Sequence, residues 1–232
     1  MNIRTSIIMP VKNGELYIED SLKSVLKNIS DNDEMIIIND GSTDKTVEII
    51  KTFTKLFNNI SLFHGNDLLP SGARNLGVEK SKGRYISFID HDDRWPDGRL
   101  NHHLNLLEES KNLDVIHGMV KYFSADPPKL EKFTFLNESN FMFFFQLGSF
   151  TFKRKVFEDV GSFNPQLKFG EDVDLYSRMI DKKVNIFKDQ NISLLYRIHD
   201  TNMTHNLEEN NGHVLLKILS NSIKRKRNIA ND

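Results

Sequence analysis

Apolar residues in the first half of the chain alternate between two periods. Ile7, Ile8 and Met9 make a short apolar run, read as a strand stopped by Pro10. Leu16, Ile18, Leu22, Val25, Leu26 and Ile29 then return at helical spacing. Met35 to Ile38 is a second apolar run, and it leads into Asn39-Asp40-Gly41-Ser42-Thr43, a turn that also caps a helix. That helix carries Val47, Ile50, Phe53 and Phe57 on one face, and Ile60 to Phe63 follows as a third strand. Pro70-Ser71-Gly72 opens a helix running through Val78, and Tyr85 to Ile89 is a fourth strand that ends at Asp90.

Strand and helix alternating in this way predict an α/β fold with parallel strands and right-handed crossovers. Continuous apolar strands predict a sheet covered on both faces. Such sheets bind ligands outside the carboxyl ends of their strands. The polar clusters fall at those ends: Pro10 to Asn13, Asn39 to Thr43, and Asp90 to Asp93.

The second half is less regular. Eleven of the 17 Phe residues lie between Phe133 and Phe169, including Phe141, Phe143, Phe144 and Phe145. Core packing of a short helix is the expected role. An apolar wall beside a lipid-linked or sugar acceptor is the competing one. At the end of the chain, Val214, Leu215, Ile218, Leu219 and Ile223 precede the basic run Lys224-Arg225-Lys226-Arg227. A solvated terminal helix is expected there, with a membrane-surface contact as the alternative, because clustered Lys and Arg attract anionic lipid.

Composition narrows the class. The 232 residues, 38% hydrophobic and 27% charged, suit one α/β domain with a buried core. We divide it as one domain, 1–210, in two halves (1–95 and 96–210), with 211–232 an amphipathic, basic terminal segment. A net charge of -1 provides no global field for nucleic acid, so no nucleic-acid partner is expected. The absence of cysteine excludes disulfides and thiolate metal sites. No stretch has the length of a membrane span, and the N-terminal apolar run is short and broken by Pro10 and Lys12. A cytoplasmic protein is expected, with peripheral contact at the inner membrane face as an option.

Four clusters carry candidate chemistry. Asp90-His91-Asp92-Asp93 follows a strand, where positions i and i+2 project to one side, so Asp90 and Asp92 can face one cavity. Neighbouring carboxylates repel unless a cation sits between them, and Mg²⁺ or Mn²⁺ suits oxygen ligands. The plainer reading is a solvated turn in which Asp92 or Asp93 caps the next helix. Asp40 at a strand end can accept a hydrogen bond from a nucleobase N–H, or simply belong to a tight turn at Gly41. Arg74, in the first turn of its helix, can donate to phosphate or base, while Gly72 and Gly77 allow close backbone approach to ligand or sheet. Glu171 and Asp172 open a helix carrying Leu175, Met179 and Ile180, where acidic residues are favoured anyway; Asp172 is the candidate general base. Neither a P-loop nor a dinucleotide fingerprint is present.

These pieces together resemble family 2 glycosyltransferases of the GT-A fold, an inverting class. The resemblance runs in order through S-I-I-M-P-V-K-N-G from Ser6, I-N-D-G-S-T-D from Ile38, A-R-N-L-G from Ala73, F-I-D-H-D-D-R-W from Phe88, V-G-S-F from Val160 and G-E-D-V-D-L from Gly170. It reaches from Ser6 to about Asp200, most of the chain.

The resemblance implies a Rossmann-like, mainly parallel sheet flanked by helices, with a smaller acceptor-binding part in the C-terminal half. It implies a nucleotide-sugar donor, UDP foremost, a glycan or lipid-linked acceptor and a divalent metal, Mn or Mg. Pro10 and Asp40 would line the base pocket with Arg74 nearby, and Lys12 and Asn13 would be among the substrate-binding residues. Asp90 would reach the ribose or donor sugar, His91 would also be substrate-binding, Asp92 would hold the metal, and Asp172 would be the catalytic base beside Glu171, which would bind acceptor or donor. Tyr196-Arg197-x-His199 resembles a late segment that closes over the diphosphate; Arg197 is assigned to substrate and His199 to the metal. Lys12 stands where many members have an aromatic, Asn39 where many have Asp, and His91 where a small residue is usual. A homodimer is left open. Two competing readings are a sugar-phosphate nucleotidyltransferase, which lacks its glycine-rich basic loop here, and a non-catalytic nucleotide-sugar-binding module.

Overall fold

The structure is a computed structural model and describes residues 3–126, 141–142, 145–167, 169–202, 218, 220–222 and 225. Its elements in chain order begin with β1 (Thr5–Val11), α1 (Ile18–Leu26), β2 (Asp33–Asn39), α2 (Thr46–Leu56), β3 (Ile60–His64), α3 (Leu69–Lys80) and β4 (Tyr85–Phe88). They continue with α4 (Arg99–Glu109), β5 (Val115–Phe123), β6 (Phe141–Met142), a 3-10 turn (Leu147–Ser149) and β7 (Phe150–Lys153). Two helices, α5 (Lys155–Val160) and α6 (Glu171–Asp181), precede the last strand, β8 (Ile186–Arg197).

One sheet holds all eight strands in the order β3-β2-β1-β4-β7-β5-β6, with β8 also paired to β5. Strands β1 to β4 are mutually parallel, β7 runs against β4 and β5, and β8 runs parallel to β5. The sheet is therefore mainly parallel, as the strand–helix alternation predicts. Neighbouring positions of β1 serve opposite faces. Ile7, Met9 and Val11 pack with Ile18, Leu22 and Val25 of α1, Ile50 and Phe53 of α2 and Leu104 of α4. Ile8 faces the other way, into Phe88, Phe152, Phe157, Phe163, Leu175 and Met179. Complete burial of side chains this size stabilises by about 1.5–3 kcal/mol each, so both faces of the sheet are firmly anchored.

Several local expectations are corrected. Strand β1 continues through Pro10 to Val11. Pro10 is tolerated because β4 pairs no further than Ile8, so the side of β1 lacking an N–H at Pro10 has no strand to bond. Helix α2 begins at Thr46 and is capped by Asp44, whose Oδ1 accepts the Thr46 N–H at 3.0 Å; Phe57 lies beyond the helix end and is exposed. Phe141 is in a strand, paired antiparallel with β5, instead of a short helix. Phe143 and Phe144 lie outside the described residues, whereas Phe145 does join the core, 4.6 Å from the Tyr176 ring and 5.0 Å from that of Phe150. Ile180 is exposed on α6. Near the C-terminus, Arg225 donates to Asp181 at 2.8 Å and to Ser177 at 3.0 Å, so this half-buried member of the basic run is tied to α6. The rest of that run, Lys224, Lys226 and Arg227, is outside the described residues.

Candidate active site

Helix α3 organises the site because successive side chains of its Ala73-Arg74-Asn75-Leu76-Gly77 stretch face different neighbours. Ala73 is buried against Ile36 and Ile38 of β2. Asn75 donates to the Phe163 carbonyl and accepts the Phe163 N–H, each at 2.9 Å, which ties the Val160–Phe163 loop to the helix. Gly77 meets β1: a Cβ there would sit 2.3 Å from Ile8 Cγ2, so its closeness is to the sheet and not to a ligand. Arg74 lies in the second turn of α3, one turn later than the sequence suggested, and it is buried.

The Arg74 guanidinium joins two distant segments. One nitrogen donates to Asp90 Oδ1 at 2.8 Å, beyond the end of β4, and the other pairs with Glu171 at the start of α6. Burial opposes the Arg74 charge, but Asp90, Glu171 and Asp172 more than offset it and hold its pKa above the ordinary value. This explains how Arg74 stays charged inside the protein. Asp172 follows Glu171 and is half-buried. Burial, then the Glu171 carboxylate, pushes Asp172 up to about 7, against a Val173 N–H bond and the more distant Arg74 charge. A carboxylate poised there can exchange a proton near neutral pH.

A second group forms beyond Asp90. His199 Nε2 lies 3.0 Å from Asp92 Oδ2, bringing both sequence-assigned metal candidates together. Burial opposes ionisation of Asp92, but the His199 contact and nearby His91 keep its pKa below the ordinary value. Asp93 is buried and accepts the Arg197 N–H at 2.9 Å. Arg197 Nε donates to the Asp92 carbonyl at 2.7 Å, its NH2 to Asp20 at 2.5 Å, and its guanidinium lies over Phe123 and Tyr17. Neither Asp92 nor Asp93 caps the following helix, whose N-cap is Gly98. His91 packs on the backbone at Gly14, where a Cβ would come within 2.5 Å of its ring.

The end of β2 completes the arrangement. Asp40 accepts the N–H groups of Leu68 at 2.8 Å and Leu69 at 3.1 Å, so its carboxylate caps the start of α3. Lys12 is exposed and pairs with Asp67 at 2.7 Å, while Asn13 Oδ1 accepts the Thr43 N–H at 2.8 Å. Pro10 lies in β1 immediately before these residues. Because β1, β2 and β4 are parallel, Pro10 to Asn13, Asp40 and Asp90 to Asp93 share one end of the sheet, and Arg74 draws Glu171 and Asp172 to it. A groove of about 720 Å³ along α3, lined by His64, Gly65, Leu68, Asn75 and Ser162, includes none of these aspartates.

Sequence reasoning missed Tyr17, whose ring is 4.6 Å from that of His199, and Thr201 and Asn202, which bond His199. The only sequence signal for the last two is their place two and three residues after the histidine. Among the described residues, no cluster of three or more His, Cys, Asp or Glu forms a self-sufficient metal site.

The profile of "Glycosyl transferase family 2" matches residues 6–169. The chain belongs to this family. Among curated relatives, the putative teichuronic acid biosynthesis glycosyltransferase TuaG of Bacillus subtilis is 33% identical over 135 residues, 58% of this chain and 53% of TuaG. Staphylococcal (S. aureus) TarS 1-349 in complex with UDP-GlcNAc superposes with a TM-score of 0.68 at 19% identity, covering 88% of this chain and 61% of TarS 1-349. The Pyrobaculum calidifontis mannosyltransferase PcManGT, in complex with GDP-Man and Mn²⁺, gives 0.67 at 16% identity, covering 87% and 59%. These likenesses show the GT-A fold. Other relatives are covered over 15%, 65% and 45% of their length, so the chain matches part of each.

Proposed function

We propose that the chain is an inverting glycosyltransferase that moves a sugar from a nucleoside diphosphate, UDP first, to a hydroxyl of a glycan or lipid-linked acceptor. The observation that carries this reading is the buried bridge from Asp90 through Arg74 to Glu171. It draws Asp172, a carboxyl poised near neutrality, to the strand ends that carry Asp40 and Asp92. Asp172 takes the proton of the acceptor hydroxyl as that oxygen attacks the anomeric carbon. The bond to the diphosphate breaks on the opposite face, so one displacement inverts the centre. Pro10, Lys12, Asn13 and Asp40 border the base, Asp90 and His91 the ribose or sugar, and Arg197 the diphosphate side.

The residues fit a divalent cation. Asp92 Oδ2 and His199 Nε2, 3.0 Å apart, would hold it, a carboxylate oxygen and an imidazole nitrogen that suit Mn²⁺ or Mg²⁺ together with the donor's phosphates. When bound, it offsets charge on the departing diphosphate. TuaG's name and the ligands of TarS and PcManGT support a nucleotide-sugar donor and a bacterial surface polymer as the acceptor. No helix among the described residues is long and apolar enough to cross a membrane.

Incubation with Mn²⁺ and a panel of nucleotide sugars tests the reading. Donors are ranked first by thermal shift, since ligand at 100 times its Kd stabilises by about 2.7 kcal/mol. Release of nucleoside diphosphate with inversion at the anomeric carbon is expected. Pyrophosphate release would identify a nucleotidyltransferase, and binding without turnover over an acceptor panel would favour a binding module.

A further inference from the structure

The loop after β1 and the loop after β2 are laced together residue by residue. Asn13 N–H donates to Ser42 Oγ at 2.9 Å, and Asn13 Oδ1 accepts the Thr43 N–H at 2.8 Å. Gly14 N–H donates to Thr46 Oγ1 at 2.8 Å, Glu15 N–H donates to Asp44 Oδ2 at 3.0 Å, and Glu15 Oε2 accepts the Lys45 N–H at 3.0 Å. Thr46 is fully buried, and its hydroxyl is engaged in both directions, accepting from Gly14 and donating to Asp44 Oδ1. Capping α2 requires only the bond from the Thr46 N–H to Asp44. The links to residues 13–15 add nothing to that cap.

Their effect falls on the donor side of the site. Asn13 has φ +55°, a left-handed conformation that a residue with a side chain keeps only when its surroundings hold it there. Ser42 and Thr43 grip it through both its N–H and its side chain. Gly14, held at its N–H by Thr46, packs against the His91 ring, which lies 2.5 Å from where a Cβ would stand. The lacing therefore fixes the backbone that carries Lys12 and Asn13 and supports His91. A loop left free would have to be ordered when the donor binds, and that ordering subtracts from affinity.

We propose that Ser42 and Thr46 are positioning residues, whose hydroxyls hold the loop after β1 in its donor-binding shape before the donor arrives. In this role neither side chain touches the donor. They act through the N–H groups of Asn13 and Gly14. This inference rests on the reading of Lys12, Asn13 and His91 as donor-side residues.

The experiment titrates the full chain by calorimetry with Mg²⁺ plus UDP, GDP or dTDP, and reads amide hydrogen exchange at Asn13 and Gly14 without nucleotide. Thr46→Val removes the buried hydroxyl at nearly constant shape, and Thr46→Ser keeps it. Ser42→Ala removes the other anchor at a half-buried position, so it decides the matter alone if Thr46→Val folds poorly. Thr46→Val and Ser42→Ala are each expected to raise the nucleotide Kd about 3–10-fold, the usual worth of one hydrogen bond, and to speed exchange at Asn13 and Gly14. Thr46→Ser should match the wild type in both. A purely structural role would lower the melting temperature and leave the Kd of the folded chain unchanged. If Thr46→Val and Ser42→Ala bind like wild type while Asp40→Asn binds weakly, the positioning role is overturned and the donor reading stands. A higher Kd without faster exchange would also overturn it, since the hydroxyls would then act on the nucleotide directly. If the wild type binds none of the three Mg²⁺–nucleotide pairs, both fall.

Discussion

Arg74 and Glu171, 97 positions apart, form a buried ion pair that fixes the start of α6 against the middle of α3. The pair leaves Asp172, the next residue, beside a negative charge and in a poorly solvated place. Arg74 acts on Asp172 only from a distance, and burial and Glu171 outweigh it. The ion pair thus places the candidate base and also raises its proton affinity.

Asp172→Asn should retain donor binding and lose about 10²–10⁴-fold in turnover, the usual worth of a positioned base. The wild-type rate should rise with pH through about 7, as the Asp172 carboxylate forms. The variant's residual rate should lack that limb. Rates over pH 5 to 9 with a fixed donor check both; an unchanged limb in Asp172→Asn assigns the ionisation to another group.

The same shift predicts a stability trade-off. Asp172 has a pKa of about 7 in the folded chain and about 3.9 when unfolded. The folded state therefore holds this proton more tightly, and stability is lost as pH rises from about 4 to about 7. Asp172→Asn removes that loss. It should be more stable than wild type at pH 8, by up to a few kcal/mol, with the advantage fading at pH 4. Urea melts at the two pH values measure the difference.

Most of the sheet was legible in the sequence because its first four strands are continuous apolar runs punctuated by turn residues. Propensity misplaced Pro10, because whether a proline ends a strand depends on where the neighbouring strand stops, and that is a tertiary fact. Phe141 was misread because a dense run of aromatics has no period to separate strand from helix. At the site, Asp172, Glu171 and Asp92 were visible as motif positions. The capping role of Asp40 was not, since its partners, Leu68 and Leu69, are ordinary apolar residues that contribute only backbone. The contacts that orient Arg197, from its Nε to the Asp92 carbonyl and from its Nη2 to Asp20, were likewise invisible, because both partners are remote in sequence.

Arg74→Met should destabilise the fold by about 3–5 kcal/mol, because it leaves the Glu171 carboxylate buried without a counter-charge. Glu171→Gln should cost less. Arg74 keeps its bond to Asp90, which is more exposed than Glu171, and the amide oxygen can still accept. Denaturant midpoints rank the two variants. Equal losses would mean that the Glu171 contact alone holds Arg74 in place and that the Asp90 contact adds nothing.

Asp92 and Asp93 are adjacent in the sequence, and the fold separates their duties. Asp93 is buried and its Oδ1 accepts the Arg197 N–H, a bond the carbonyl oxygen of asparagine makes equally well. Asp92 faces the Nε2 of His199, where an amide supplies only a weak ligand for a hard cation. Asp93→Asn should therefore keep Mn²⁺-dependent donor binding close to wild type. Asp92→Asn should fold normally and lose the Mn²⁺ response of donor binding by about 10-fold or more, at least what loss of an outer-shell partner of a metal ligand typically costs. Calorimetric titration of donor with and without Mn²⁺ separates them. A reversed order, with Asp93→Asn losing the response and Asp92→Asn keeping it, would move the cation to the buried carboxylate and leave the 3.0 Å contact to His199 a plain hydrogen bond.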